Sequence, residues 1–231
     1  NRINQQARAL LPANGWLGGT LTAQMNISFI CNAFWTGSTV QFFKETFPCA
    51  NTGQLAGVFD HEWGHGMDDN DVNGSIPSSS QGGGEGVADI YAALRLNQAC
   101  VGRGFFVNGQ LCTGYGDPCT GASACTGIRS VDWADRSSGV PHTLTWVRAN
   151  CGTPVHCLGA AYSEAVWDIL TRDLPSFYGM DNTTALEVTT RLMFIGGGNA
   201  SGWFDRIGPI PGAAGCGASQ AYLQFLAADD D

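Results

Sequence analysis

Positive charge is scarce in this chain of 231 residues. One lysine, Lys44, and ten arginines stand against twenty acidic residues, a formal net charge of −9. No basic patch is available to neutralise phosphates, which argues against a nucleic-acid partner. The same balance argues against binding an anionic membrane surface. Long apolar runs are also missing: nowhere do about 18 apolar residues follow one another, as a spanning helix requires. No signal peptide opens the sequence, so the chain reads as a mature, soluble region. Cys-x-x-Cys pairs are absent, which disfavours a zinc site built from cysteines. No internal repeat is apparent.

What is present is a foldable composition. Hydrophobic residues make up 44% and aromatics 10%, as in globular proteins. The length suits one large domain or two lobes sharing a cleft. Nine cysteines and 32 glycines indicate a loop-rich chain held by disulfides in an oxidising, extracellular compartment. Cys31…Cys49, Cys100…Cys112, Cys119…Cys125 and Cys151…Cys157 are candidate local pairs, although spacing alone leaves the connectivity open. The odd count leaves one cysteine over, with Cys216 the candidate.

Residues 4–11 suggest a short helix stopped by Pro12. Leu21, Ala23, Met25, Ile27 and Phe29 alternate with polar residues, the pattern of a half-buried strand. Asn32 to Trp35, a turn at Thr36-Gly37-Ser38, and Val40 to Phe43 read as strand, turn, strand. A helix follows from about Thr52 through Met67, with Leu55, Val58, Phe59, Trp63 and Met67 at three- and four-residue steps. A Gly/Ser-rich connection over 68–84 leads to a second helix over about 84–99. Residues 101–150 hold many glycines, cysteines and turn residues and predict irregular structure with short helices. Further helices are expected over 160–174, 183–195 and 219–228. Strands first and helices later indicate an α+β arrangement, divided into residues 1–75 and a mainly helical part, 76–231.

The chemistry concentrates in His61-Glu62-Trp63-Gly64-His65. Two histidines at i and i+4 sit about 40° apart around a helix, on one face. They can hold one Zn²⁺ while the glutamate between them works on a water. Glu85, on the second helix, can supply a third ligand and leave a fourth position open. Asp89, one turn later, can accept from a ligand histidine's other nitrogen. Idle histidines and ordinary solvated acids are the plainer reading of the same residues.

The set HExxH, GExxAD (Gly84 to Asp89) and the upstream Asn-Ala-Phe-Trp segment resembles the glutamate-ligand zinc metallopeptidases of the thermolysin and fungalysin type. The resemblance implies a two-lobed fold: a β-rich N-terminal part, a central zinc-binding helix and a mainly α-helical C-terminal lobe. It implies His61, His65 and Glu85 as zinc ligands, Glu62 as general base and then proton donor, and Asp89 as the carboxylate behind a ligand. Asn32 and Ala33 correspond to the edge strand that pairs with the substrate backbone. Arg129, in Gly-Ile-Arg-Ser, corresponds to the arginine that binds a substrate carbonyl. His156, in Val-His-x-x-Gly ahead of Trp167, corresponds to the histidine that stabilises the oxyanion, and His142 has no such match. The tyrosine that assists it in thermolysin-type enzymes has no counterpart between Ser75 and Gly84, which places the chain nearer the fungalysin pattern. The usual leading β-sheet region is also missing, as in a processed or trimmed part of a longer precursor. Calcium is a further candidate cofactor, at Asp68, Asp69 and Asp71 or at the acidic end, residues 229–231, although solvated surface acids are the simpler reading.

The function expected is a secreted zinc metalloendopeptidase acting on polypeptide. A substrate paired to Asn32 and Ala33 lies extended, and the G-x-M-E-N signature of aminopeptidase relatives is absent. Val58, one turn before His61, suggests an apolar pocket beside the cut. A non-catalytic zinc-containing binding module and a zinc hydrolase acting on other bonds are the alternatives. A structural zinc site is ordinarily closed by four protein ligands, whereas this one keeps Glu62 and an open position.

Overall fold

The structure, a computed structural model, describes residues 2–71, 83–152, 155–199 and 221–229, without the side chains of residues 148 and 221. It is a mixed α/β arrangement in which helix prevails. Helix α1 (Arg2–Leu10) buries Ile3 and Ala7 and ends just before Pro12, which cannot continue the hydrogen-bond ladder.

Strands β1 (Thr22–Ile27), β2 (Ala33–Trp35) and β3 (Thr39–Phe43) form a sheet of order β1-β3-β2. β1 runs parallel to β3, with Thr22 opposite Thr39. β2 runs antiparallel, with Ala33 opposite Phe42 and Trp35 opposite Val40. β2 is therefore an edge strand. The alternation over 21–29 does mark a strand, but not a half-buried one: Thr22 to Asn26 are all exposed, and Met25 and Phe29 are 47% and 64% accessible. The core beneath the sheet is built from Ala33, Val40 and Phe42, with Cys49, Val58 and Phe105. β1 lies outboard of it.

Helix α2 (Ala56–Asp69) turns Val58, Trp63 and Met67 into the protein. It packs most extensively on α3 (Gly83–Leu96), which is buried almost throughout from Gly86 to Leu94. The contact is close because both helices present small residues: a Cβ on Gly64 would lie 2.8 Å from the Ala88 Cα. Strands β4 (Cys100–Val101) and β5 (Arg129–Ser130) form a short antiparallel ladder, the only regular structure beyond one 3₁₀ turn between 101 and 143 among the described residues. Helices α4 (Leu144–Asn150) and α5 (Val155–Leu158) lead to α6 (Ala160–Asp168). The single helix expected over 160–174 widens after α6 into a π-helical segment, Ile169–Asp173. It then resumes as α7 (Leu174–Tyr178), closed by Gly179 at φ 65°. Helix α8 (Asn182–Arg191) likewise runs into a π-helical segment, Leu192–Gly197, against which α9 (Ala221–Asp229) packs. The larger core joins α1, α2, α3 and these later helices around Trp63, Tyr91 and Phe194. No described helix is long and apolar enough to cross a membrane.

Four disulfides link Cys31–Cys49, Cys100–Cys125, Cys112–Cys119 and Cys151–Cys157. The first and last match the nearest-neighbour expectation. The middle two correct it: Cys112–Cys119 is nested inside the loop closed by Cys100–Cys125. The β4–β5 pairing sets Cys100 opposite Ser130 and so draws Cys125, rather than Cys112, to Cys100. Cys216 lies outside the described residues, as do 72–82, most of the connection between the two site helices.

Candidate metal centre and groove

Helix α2 forms the floor of a groove. Val58, His61, Glu62, His65, Asp68 and Asp69 form two rows of three- and four-residue steps, 58/61/65/68 and 58/62/65/69, on the helix face that lines it. The groove encloses about 740 Å³, within the range of ligand sites. β2 borders it with Asn32, Ala33, Phe34 and Trp35, while Arg129 and His156 line it from the other part of the chain.

Among the described residues, His61, His65 and Glu85 converge: one ligand atom from each lies within 4.8 Å of the others. His61 Nε2 and His65 Nε2 are 3.1 Å apart, and Glu85 Oε2 lies 3.3 and 3.8 Å from them. Cys112, Cys119 and Cys125 also cluster, but every one of their sulfurs is held in a disulfide, so none offers a thiolate. Asp68, Asp69 and Asp71, expected as calcium candidates, do not appear among the converging groups. Asp69 accepts from the Trp35 indole at 2.6 Å; at the acidic end, Asp229 is exposed at the close of α9, and residues 230 and 231 lie outside the described residues.

Asp89, fully buried, stands behind His61: its Oδ1 is 2.7 Å from His61 Nδ1. This contact puts the proton on Nδ1 and leaves Nε2 facing Glu85 and His65. Burial opposes charge on His61, but the Asp89 carboxylate overrides it and lifts the imidazole to about 10. Burial, with the neighbouring His61 charge, pushes His65 down to about 4. Burial also works against the Asp89 carboxylate, yet Arg129 and His61 together hold it well below the usual carboxylate range. Glu85 is likewise depressed against burial, by His61, Arg129 and His65.

Glu62 is buried beside the histidines, and the Trp35 backbone N–H donates to its carboxylate. Burial is the main cause that raises it to about 7, with the Glu85 charge adding and His61 and Arg129 opposing. On β2, the Asn32 carbonyl accepts from Thr52 Oγ1 at 3.0 Å and Thr36 N–H donates to Thr39 O at 3.0 Å. Backbone groups alternate along a strand, so those of Ala33 and Trp35 face away from β3. Among the described residues no strand pairs with the outward backbone edge of Ala33, while Asn32 borders the groove with its carbonyl already engaged.

Arg129, only 3% accessible, grips Asp89 with two donors: Nε to Oδ2 at 2.5 Å and Nη2 to Oδ1 at 2.7 Å. Nη2 is also 3.6 Å from Glu85 Oε2. His156 is half-exposed and sets Nε2 3.4 Å from Glu85 Oε1. Burial, aided by Arg129, lowers its pKa. His142 is elsewhere, buried against Arg136 and Glu164 and stacked on Trp146.

The nine residues to which the resemblance gives a site role therefore border one groove or stand directly behind it. Two partners had no sequence signal. The Tyr115 hydroxyl donates to Asp89 Oδ2 at 2.5 Å and contacts Ser163 Oγ at 2.7 Å. They are 26 and 48 residues from what they touch, and no spacing rule links them. A comparison of the chain with protein-family models and with curated protein sequences finds no match to either.

Proposed function

We propose that this chain is a secreted, zinc-dependent metalloendopeptidase of the thermolysin- and fungalysin-like kind, built as two lobes about the groove. The convergence of His61, His65 and Glu85 beside Glu62, facing an open strand edge, carries this reading. The residues fit a zinc ion. Two imidazole nitrogens and one carboxylate oxygen are the donors of a catalytic site that keeps a position open. Glu85 Oε2 is buried with no aligned hydrogen-bond donor, an orphan that a cation between the histidines relieves. When bound, the ion supplies Lewis acidity, polarising a carbonyl and acidifying a water.

The chain's own groups do the rest. Ala33 pairs with an extended substrate backbone, as an exposed strand edge can. Glu62, held by Trp35 N–H, takes the proton from the attacking water and passes it to the departing amine. His156 presents Nε2–H to the oxyanion. Arg129 keeps Nε and Nη2 on Asp89, which leaves Nη1 to bind a substrate carbonyl. Asp89 holds His61 in the tautomer that a metal needs. The four disulfides support an extracellular setting.

A non-catalytic zinc module is the competing reading. It gives no use to a buried glutamate set on the groove floor beside an open edge strand. Peptides blocked at both termini test the choice. The purified chain is expected to produce internal fragments, stopped by a chelator and restored by zinc. Intact peptides with zinc bound would favour the binding module, and hydrolysis of other ester or amide substrates alone would favour a different hydrolase.

A further inference from the structure

Asp89 engages three side chains, His61, Arg129 and Tyr115, and the last of them lies outside the groove. Tyr115 is fully buried in the Gly-rich segment after Cys112, and its hydroxyl meets Asp89 Oδ2 at 2.5 Å and Ser163 Oγ at 2.7 Å. Burial and the adjacent Asp89 charge raise the phenol well above its ordinary value, so the hydroxyl keeps its proton at neutral pH. Two guanidinium groups lie over its ring, Arg129 at 5.9 Å and Arg136 at 5.4 Å from the centroid. Arg136 is locked in turn by Glu164, which also accepts from the His142 backbone N–H at 2.6 Å. The Tyr115 carbonyl lies 3.4 Å from Cys157 Sγ, next in sequence to His156. A phenol restrained from so many sides has little freedom to move its hydroxyl off Asp89.

Resting on the zinc reading above, we propose that Tyr115, seated by Ser163, is a positioning residue of the metal site: it fixes the Asp89 carboxylate and, through it, the His61 imidazole. The hydroxyl supplies the donor that completes Asp89. Arg129 Nε shares Oδ2 with it, and His61 Nδ1 and Arg129 Nη2 occupy Oδ1. Without the phenol, Oδ2 is anchored by Arg129 alone and the carboxylate can pivot about that pair. Such a pivot loosens the tautomer and aim of His61, so the effect falls on metal affinity before it falls on stability.

Tyr115→Phe deletes only the hydroxyl and leaves the ring against both arginines. Zinc affinity, measured by competition with a chromogenic chelator, is expected to fall about tenfold, the low end for groups that support ligands from outside. The visible absorption of the cobalt-substituted protein should change shape. Asp89→Asn should show a larger loss, and adding Tyr115→Phe to it should cost little more. Ser163→Ala, which keeps the phenol but frees its far side, should show a smaller loss and serves if Tyr115→Phe does not fold. Wild-type zinc affinity and an unchanged cobalt spectrum in both variants, with only a lowered melting temperature, overturns the proposal and assigns Tyr115 to the core. His61→Ala provides the separate test of the site. If it binds zinc as wild type does, the metal reading itself fails.

Discussion

Gly64, inside the HExxH segment, sets how close α2 and α3 approach, and replacing it with alanine has a calculable consequence. The added Cβ falls 2.8 Å from the Ala88 Cα and 3.2 Å from its Cβ and carbonyl oxygen. Ordinary contact begins at 3.4 Å, so the helices must part by at least about 0.6 Å (3.4 − 2.8). Ala88 lies between Glu85 and Asp89, and the same displacement carries both carboxylates away from His61. The 2.7 Å contact from His61 to Asp89 would lengthen to about 3.3 Å, past good hydrogen-bond geometry. Alanine gains about 1 kcal/mol in helix propensity, whereas overpacking costs about 1–3 kcal/mol. The net destabilisation is about 0–2 kcal/mol, a fall in Tm of at most about 8 °C for a chain of this size. Zinc binding should suffer more, by about 10–100-fold, because a ligand and the group behind another ligand both move. Calorimetry on the metal-free protein and chelator competition read the two effects separately. Gly18→Ala, whose Cβ meets nothing within 4 Å, is the control. A Gly64→Ala protein that binds zinc as tightly as wild type would refute the idea that this contact sets the site.

Other substitutions probe other parts. His156→Ala should retain zinc and lose about 10²–10³ in turnover, the usual cost of one oxyanion donor, read by steady-state cleavage of a quenched peptide. Arg129→Ala leaves Asp89 buried without its main counter-charge. It should destabilise the fold by about 3–5 kcal/mol in urea titration, as breaking buried pairs does; Arg129→Lys, lacking the two-pronged fork, should restore only part. Peptide mapping without reductant should recover Cys100 joined to Cys125 and Cys112 joined to Cys119. Replacing the first pair with serine, which opens a loop of separation 25, should cost about 3–4 kcal/mol.

Sequence periodicity located the two site helices because their job is local. The i, i+4 histidines and the apolar steps of Val58, Trp63 and Met67 are both consequences of one helical repeat. It also identified the strand over 21–29 but not its burial, since alternation tells which side chains share a face and not whether anything covers that face. The helices over 160–174 and 183–195 were legible in extent, while their π-helical turns, one extra residue wide, left no mark in the pattern. The nested disulfides depend on which turns the β4–β5 ladder brings together, and loop spacing carries no such information. At the site, the residues on recognisable spacings or motifs could be named in advance. Tyr115, Ser163 and the Arg136–Glu164 cluster could not, because only the folded chain brings them to Asp89 and its neighbours.

The most direct test of the central claim is a titration of the metal-free chain with zinc while cleavage of an internally quenched peptide is followed. Activity is predicted to rise with added zinc and level off at one equivalent. Glu62→Gln should bind the same equivalent and cleave nothing. A wild-type chain that takes up its zinc and leaves the peptide whole, or a Glu62→Gln chain that cleaves as fast as wild type, would contradict the account.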